Sequence, residues 1–307
     1  MDRARPWAAF VAVSLIWGSS FLFIKVALED LGPLTLVGMR LLFGVLILAP
    51  FAVAHRKKIP RDGRTRLDIA LNAVIGTALP FFLISWGEKT VDTGLTSVLN
   101  GTVPFFSVLI ADLWLRDSPV TLAKMAGLVG GYGGILVLMG ESLGAGANHS
   151  TLPGQVAVVA AALCYGASSA FVRRRLGHVM PPVLAFGQLL VACVATWCIA
   201  LPVERPPLFY VEGLTLLFSG RSLFAVIWLG LLGSGIAYLL YYYLVQSMGS
   251  TRSSMVTHAI LVVGVLLGVT VLGEPVSWRL LAGGGLIASG IVLVNWPRSR
   301  RVARIPV

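Results

Sequence analysis

The chain has 307 residues, of which 57% are apolar and only 12% charged, and its mean hydropathy is +0.86. These values exclude a soluble protein, which carries roughly a quarter charged residues. The apolar runs are long and continuous, so the sequence predicts an all-α integral membrane protein and not a β-barrel. The net charge of +11 does not indicate nucleic-acid binding, because the basic residues flank the apolar runs.

Apolar runs of about 20 residues, separated by charged or Pro- and Gly-rich breaks, predict ten transmembrane helices. Their approximate limits are 7–28, 33–54, 67–87, 94–115, 121–140, 153–173, 181–201, 221–243, 251–273 and 278–297. The first run is too long for a signal peptide and lacks a small-residue cleavage site, so we expect it to remain as a span.

The basic residues predict how these helices are oriented. If the N-terminus is inside, 18 of the 24 lysines and arginines fall on the inner side and five on the outer side, and Arg40 lies within a span. Inner loops of membrane proteins carry such an excess. The sequence therefore predicts a multi-pass protein of the bacterial inner membrane with both termini in the cytoplasm.

The first half of the chain is repeated in the second half. Residues 15–25 match residues 163–173 at a constant offset of 148, in an aromatic residue, a glycine, a serine, a phenylalanine and a terminal cation. Further along, Pro119, Gly127 and Gly134 match Pro275, Gly283 and Gly290 at an offset of 156. The repeats are predicted to occupy residues 1–145 and 146–307.

Five spans in each half is an odd number, so the second copy must enter the membrane in the opposite direction from the first. The predicted fold is therefore ten transmembrane helices arranged as two inverted five-helix repeats. Membrane proteins built in this way place a substrate site between the halves and open it to either side in turn.

Several motifs are similar to those of a known family. These are Trp17-Gly18-Ser19-Ser20-Phe21, Arg40, and the acidic and proline pairs Asp117-Ser118-Pro119 and Glu274-Pro275, each followed by a Gly-rich span. Over essentially its whole length the chain resembles the EamA family of the drug/metabolite transporter superfamily, and within it the YddG-type amino-acid exporters. The resemblance implies export of small metabolites from the cytoplasm through a cavity between two EamA repeats.

Two pairs of equivalent residues are candidates for this cavity. Trp17 and Tyr165 occupy matching positions in the two copies, and Ser20 and Ser168 follow them at helical spacing. An aromatic wall with nearby hydroxyls suits a solute with an apolar side chain and a polar head. Aromatic residues also form belts at the membrane interface, but Trp17 lies near the middle of its span, which favours the cavity.

A second aromatic set lies in the third and eighth predicted spans. Only one face of each helix can line a cavity, and we expect this face to carry Leu83 and Trp86 in the third span and Tyr238 and Tyr242 in the eighth. The remaining aromatic residues of these spans are expected to face lipid or the interfaces.

Two polar residues within spans are further candidates. Asn100 precedes Pro104, which frees a backbone carbonyl one turn back, so a local kink could expose polar backbone to a solute. Asn100 could equally form a hydrogen bond between helices. His258 could carry a proton or bind substrate, or it could be a neutral packing histidine.

Arg40 is the strongly charged residue well inside a predicted span, and Gln188 is its repeat equivalent. Because such a charge is costly unless paired, we expect a structural partner for Arg40 rather than a substrate. Asp68, Asp112 and Glu88 lie near helix ends and are expected to be solvated or to cap helices. A weakly coupled or facilitative route is consistent with the lack of a mid-span acid.

Glycines four residues apart, as in Gly127/Gly131, Gly130/Gly134 and Gly264/Gly268, predict close helix contacts, internal or at a dimer interface. The three cysteines, Cys164, Cys193 and Cys198, have the spacing of neither a disulfide framework nor a zinc site. No phosphate-binding Gly-x-x-x-x-Gly-Lys sequence occurs. We therefore expect no metal, no cofactor and no enzymatic activity, and a monomer or weak dimer in the lipid bilayer.

The leading hypothesis is a secondary transporter that exports small metabolites, such as aromatic or other apolar amino acids, by alternating access. An aromatic cavity would also suit cationic or hydrophobic drug-like compounds. A membrane enzyme would need a cluster of catalytic side chains at the interface, and a channel would need a more polar pore than Asn100 and a few serines provide.

Overall fold

The structure is a computed structural model that describes residues 4–115, 122–143, 151–205, 219–248, 253 and 255–294. Every long element in these ranges is helical. We label the helices α1 (Ala4–Ala27), α2 (Pro33–Ala54), α3 (Gly63–Gly87), α4 (Thr93–Asn100 and Val103–Leu115), α5 (Leu122–Leu143), α6 (Leu152–Leu176), α7 (Pro181–Glu204), α8 (Gly220–Met248), α9 (Val256–Leu272) and α10 (Trp278–Val294).

The eight helices α1–α8 are long and apolar enough to cross a membrane, and α9 and α10 are shorter apolar helices of 17 residues. Large apolar side chains cover their outer faces. On α5, for example, Leu122 is 83% exposed, Val129 71% and Leu136 64%. A surface of this kind is stable against lipid and not against water, so the chain is a multi-pass membrane protein.

Several helices are interrupted where they pass the centre of the bundle. α4 stops at Asn100 and resumes at Val103, one residue before Pro104, which confirms the predicted kink. α1 is broken at Ser19. α3 and α8 contain π-helical segments, Val74–Ala78 and Trp228–Ile236. Such segments shift the faces of a helix and free backbone groups from its regular ladder.

The main helix contacts are the same in both halves of the chain. If each helix is replaced by the one five positions away in chain order, every contact described below becomes another observed contact or itself. α2 packs against α7, α5 against α10, and α4 against α9, so each of these pairs is unchanged by the exchange. The contact of α3 with α6 corresponds to that of α8 with α1, and the contact of α4 with α6 to that of α9 with α1. Equivalent helices therefore have equivalent neighbours.

The α5–α10 contact is formed by glycines. A Cβ atom at Gly127 would lie 2.7 Å from the carbonyl oxygen of Gly290, and one at Gly134 would lie 2.7 Å from that of Gly283. Since the residue numbers rise on one helix as they fall on the other, the two helices run antiparallel. In the sequence repeat, Gly127 matches Gly283 and Gly134 matches Gly290. In the structure the pairs cross over, because Gly127 packs against Gly290 and Gly134 against Gly283.

The other predicted glycine contacts are internal as well, with one exception. Gly131 lies against the Phe105 ring, Gly264 against Ser97 and Gly268 against the Glu274 side chain. Gly130 has no neighbour within 4 Å of an added Cβ, so it makes no close contact inside the described part of the chain, and its role at a dimer interface stays a prediction.

Candidate functional site

A cavity of about 440 Å³ lies in the centre of the bundle, where the interruptions of α3, α4 and α8 occur. This volume is within the range of small-molecule sites. Helices from both halves of the chain line it, through residues Trp17, Ser20, Phe21, Ile24, Arg40, Asn72, Gly76, Phe81, Ile84, Asn100, Gly101, Val103, Tyr165, Ser168, Ser169, Val172, Leu184, Gln188, Gly233, Tyr238, Tyr241, Tyr242, Thr257 and Ile260.

An aromatic cluster forms one wall of this cavity. The Trp17 indole donates a hydrogen bond from Nε1 to the carbonyl oxygen of Gly233 at 2.9 Å. Its ring centroid lies 5.8 Å from that of Tyr238, edge to face, and 5.2 Å from that of Tyr241. Tyr242 extends the cluster at 6.5 Å from Tyr238. The hydrogen bond to the π-helical segment of α8 fixes the Trp17 ring, so this wall is preformed.

Two residues that line the cavity carry polar atoms without partners among the described residues. The Ser168 hydroxyl donates to Oδ1 of Asn72 at 2.9 Å, which leaves Nδ2 of Asn72 without a partner among the described residues. Oδ1 of Asn100, beside the break in α4, also has no partner there. The Ser20 hydroxyl donates to the Ile16 carbonyl oxygen of its own helix at 3.0 Å. Unpaired amide groups in a cavity are available to a solute.

Arg40 lines the cavity with its guanidinium group fixed on two sides. Nε donates to the Ser234 hydroxyl at 2.9 Å, and the guanidinium carbon lies 3.9 Å from the centroid of the Phe81 ring. No carboxylate among the described residues pairs with it. The structural partner expected for Arg40 is therefore a neutral hydroxyl together with a ring face, and not a charged group.

Seven of the ten predicted site residues line the cavity, namely Trp17, Ser20, Asn100, Tyr165, Ser168, Tyr238 and Tyr242. Leu83, Trp86 and His258 do not. Leu83 packs against the hydrophobic core, Trp86 is 41% exposed on the outer surface, and His258 is half-buried beside the Ala288 backbone.

On α3 the face towards the cavity carries Phe81 and Ile84 rather than Leu83 and Trp86. The π-helical segment Val74–Ala78 precedes these residues and changes the phase of the helix. A regular 3.6-residue periodicity does not contain this information. Phe81 was therefore wrongly expected to face lipid or an interface, as was Tyr241 on α8, which follows a similar segment.

Sequence reasoning also missed Asn72 and gave the wrong environment for two acids. Glu88 is completely buried instead of solvated, and neither of its carboxylate oxygens has a partner among the described residues. Asp68 is largely buried, with its Oδ2 3.7 Å from Nη1 of Arg175. The Asp112 side chain lies outside the described part of the chain.

The end of the bundle that contains Glu88, which we call the Glu88 end, is held by hydrogen bonds between distant parts of the chain. The Lys25 ammonium donates to the carbonyl oxygens of Glu88 at 2.7 Å and Val91 at 3.0 Å. The Glu204 carboxylate accepts from the amides of Leu34 at 2.9 Å and Thr35 at 2.8 Å, at the start of α2.

Two more carboxylates contribute to the Glu88 end. Glu274 accepts from the amides of Thr93 at 2.6 Å and Gly94 at 2.8 Å, at the start of α4. Asp30 accepts from the Ser219 amide and the Ser222 hydroxyl, and these bonds lower the pKa of its carboxyl group. Carboxylates at helix N-termini are stabilised by the free amides and the helix dipole.

The opposite end, which contains Thr65 and is called the Thr65 end here, has longer contacts among the described residues. The Thr65 hydroxyl lies 3.5 Å from Nε2 of His178, and the Asp68–Arg175 pair has a partly exposed arginine. Arg174 donates to the Trp114 carbonyl oxygen at 3.2 Å. The cavity lining continues towards this end through Asn72 and Val172.

Comparison with known proteins identifies the family. The model of the EamA-like transporter family matches the chain twice, over residues 6–140 and 152–296. The chain belongs to the EamA-like transporter family. The two matches correspond to the two sequence copies, although the exact boundary between the copies remains a prediction.

Relatives of the chain include transporters from several bacteria. An uncharacterized transporter, YoaV of Bacillus subtilis, is 25% identical over 95% of this chain and 97% of its own length. The uncharacterized inner membrane transporter YedA of Escherichia coli is 27% identical over 94% of this chain and 90% of its own. A probable terminal-alkyne amino-acid exporter of Streptantibioticus cattleyicolor is 29% identical over 96% and 95%.

A protein of known crystal structure has the same fold, with a TM-score of 0.64 over 95% of this chain and 96% of that protein, at 18% sequence identity. The family match and the relatives show an EamA membrane transporter. Proteins of this kind are generally not enzymes.

Proposed function

We propose that this EamA protein is a secondary transporter that exports small metabolites, in particular aromatic or other apolar amino acids, across the inner membrane by alternating access. The observation that supports it best is the central cavity, which is lined by helices from both halves of the chain and contains unpaired polar groups. Transporters with inverted repeats hold their substrates at this place.

The proposal includes ten membrane spans in two inverted repeats. The exchange symmetry of the helix contacts supports a two-fold relation between the halves. The glycine contact supports an inverted one, since Gly127 meets Gly290 and Gly134 meets Gly283 in antiparallel order. A two-fold axis in the membrane plane would produce both features. The excess of basic residues on one side supports cytoplasmic termini, which would make the Glu88 end the outer end.

The difference between the two ends supports alternating access. Partly buried carboxylates and Lys25 join the helices at the Glu88 end through hydrogen bonds of 2.6–3.0 Å. The contacts between helices described at the Thr65 end are longer, at 3.2–3.7 Å. This asymmetry is expected of one of the two states of a carrier, with the outer end closed. In the other state the contacts at the Glu88 end would break.

The cavity supports a solute of amino-acid size. Its volume of about 440 Å³ and its aromatic wall suit an apolar side chain, and Asn72 and Asn100 offer hydrogen bonds to a polar head. The relative in Streptantibioticus cattleyicolor is itself described as a probable amino-acid exporter.

Uptake into proteoliposomes tests this function. Purified protein would be reconstituted and exposed to a mixed set of labelled amino acids, with and without a pH gradient. We expect saturable uptake that unlabelled apolar amino acids inhibit. Unsaturable flux would indicate a channel, and no flux of any amino acid would contradict the proposed substrate. His258→Ala tests whether that residue carries a proton, and loss of the gradient response alone would support this role.

A further inference from the structure

The cavity contains a positive charge that no carboxylate of the described residues pairs with at salt-bridge distance. Among the described residues that line it, Arg40 is the formally charged one. Its Nε atom is occupied by the Ser234 hydroxyl, and its plane lies over Phe81. The edge formed by its two Nη groups makes no hydrogen bond to any of the described residues. A guanidinium presents such an edge to carboxylates in two parallel hydrogen bonds.

The surroundings keep this edge in place. Gly230 and Gly233 of α8 approach Arg40 closely, the first at its carbonyl oxygen and the second near Nη2. The side chains of Tyr165, Tyr238 and Glu88 are near enough to interact electrostatically with the guanidinium, although Glu88 forms no ion pair with it. Arg40 is only 6% exposed. A buried arginine without a counter-ion is costly, so an anionic solute would gain from pairing with it and a cationic solute would be repelled.

We propose that Arg40 binds a carboxylate group of the transported solute, so that the substrates are apolar carboxylic acids or amino acids and not cationic drugs. This inference rests on the proposed function and extends it to the charge of the substrate. The aromatic wall around Trp17 would hold the apolar part of the same molecule.

Matched acids and amides test the role of Arg40. Thermal stabilisation of the purified protein and competition in proteoliposome uptake would be measured with phenylalanine, phenylpyruvate and phenylacetate, and with the corresponding amides. The wild type is expected to bind each acid roughly 10- to 100-fold more tightly than the corresponding amide, because the amide cannot form the hydrogen-bonded charge pair with Arg40. In Arg40→Gln this preference should fall to about one, and Arg40→Lys should keep part of it.

The ratio of acid to amide does not depend on how much protein folds, so a merely structural role of Arg40 would leave it unchanged. Arg174→Gln, the same change at an exposed arginine outside the cavity lining, is the matched control and should keep the preference. An unchanged ratio in Arg40→Gln overturns the inference while the proposed function stands. Acid binding that depends on Arg40 without amino-acid uptake supports the inference and contradicts amino-acid export. If neither acids nor amides bind, both are wrong.

A separate observation concerns the buried acid at the Glu88 end. The Glu88 carboxylate is fully buried and unpartnered, because Lys25 donates to backbone carbonyls instead. The charged groups that act on it are Lys25 of α1, Arg40 of α2 and Glu274, which precedes α10. Asp92, at the start of α4, is under the influence of Glu274 and Lys25. Burial raises the pKa of Glu88 well above its usual range, and Glu274 adds to this effect.

We further propose that Glu88 carries a proton while the Glu88 end is closed and releases it when that end opens to water. The closed state then binds one more proton than the open state. Between the ordinary pKa of a glutamate and its raised value, each unit of increasing pH would shift the equilibrium towards opening by up to about tenfold. This step couples the opening of the Glu88 end to proton release.

The rate at which a buried cysteine reacts would report the opening. Val91 is 1% exposed beside Glu88, so Val91→Cys, in a variant with Cys164, Cys193 and Cys198 replaced by serine, would be labelled only when this end opens. A thiosulfonate reagent would be applied between pH 5 and 9 with and without Glu88→Gln. Both proteins carry the same thiol, and the difference between their slopes therefore reports Glu88 alone.

We expect the labelling rate to rise more steeply with pH when Glu88 is present than in Glu88→Gln. The difference should be up to about tenfold per pH unit. The exposed Glu29 provides the control, since Glu29→Gln should leave the steep slope unchanged. Equal slopes with and without Glu88→Gln overturn the proton proposal. No labelling at any pH would mean that the end does not open, which contradicts this proposal and alternating access together.

Discussion

The contact of α5 with α10 offers a sharp test of the fold, because adjacent glycines differ completely in their surroundings. An added Cβ at Gly134 would lie 2.7 Å from the Gly283 carbonyl oxygen and 2.9 Å from Cγ1 of Ile287. An added Cβ at Gly133 would have no neighbour within 4 Å. Gly134→Ala and Gly133→Ala therefore make the same chemical change, one inside the contact and one outside it.

The expected magnitudes follow from two effects. Overpacking against a backbone atom costs about 1–3 kcal/mol, and replacing a helical glycine with alanine gains about 0.5–1 kcal/mol. Gly134→Ala should lower the free energy of unfolding by about 0.5–2 kcal/mol. Gly133→Ala should raise it by about 0.5–1 kcal/mol. The difference between the two variants isolates the packing cost.

Both variants would be unfolded in detergent micelles, once with denaturant and once by heating, and the change in the free energy of unfolding would be measured. Gly283→Ala, on the other side of the contact, should behave like Gly134→Ala, because its Cβ would lie 2.6 Å from Cγ of Leu138. Equal stability of Gly133→Ala and Gly134→Ala would refute the close antiparallel contact, and with it the structural support for an inverted repeat.

Three further predictions concern the ends and the cavity. Glu204→Gln should lower the free energy of unfolding by about 1–2 kcal/mol, because a charged acceptor at the start of α2 is lost, whereas Glu29→Gln should have almost no effect in the same thermal unfolding assay. Ser168→Ala should raise the KM of uptake roughly 2- to 10-fold with little change in Tm, because it removes the hydroxyl that positions Asn72 in the cavity. An unchanged KM would exclude Ser168 and Asn72 from the substrate site. Hydrogen bonds lower the pKa of Asp30, so its bond to the Ser219 amide should persist at neutral pH and weaken as the pH falls through this lowered value. Hydrogen exchange at Ser219 should accordingly become faster in Asp30→Ala at neutral pH, and unchanged exchange would contradict the contact.

The positions of the helices could be predicted well from the sequence. The predicted second span, 33–54, coincides with Pro33–Ala54, and the seventh, 181–201, is extended by one turn to Glu204. Span limits follow from hydropathy, charges and proline, which act locally along the chain. The kink near Pro104 was predictable for the same reason.

The aromatic pair of the cavity was predictable because both halves of the sequence carry an aromatic residue at the same position. Trp17 and Tyr165 occupy equivalent positions of the two copies, and both line the cavity. The lining face of α3 was not predictable, since it depends on a π-helical segment that leaves no periodic signal in the sequence. Trp86 was therefore assigned to the cavity and lies on the surface instead.

The environments of charged residues also escaped prediction. Whether Glu88 is solvated or buried depends on which distant segments close over it, and hydropathy around Glu88 contains no record of those contacts. Arg40 was expected to have a structural partner, but the groups that supply it could not be predicted, because Ser234 and the Phe81 ring are far away in sequence. Such tertiary neighbours decide the electrostatics of the site, and a single sequence does not reveal them.

The central claim is that substrate binds in the cavity next to Trp17 during transport. The most direct measurement is counterflow of a labelled apolar amino acid in proteoliposomes containing the wild type, Trp17→Ala or Trp86→Ala. Both variants remove the same side chain, one from the cavity and one from the outer surface. We predict that Trp17→Ala lowers counterflow by roughly tenfold or more while Trp86→Ala leaves it near the wild-type rate. Equal effects of the two variants, or a greater loss in Trp86→Ala, would contradict the account.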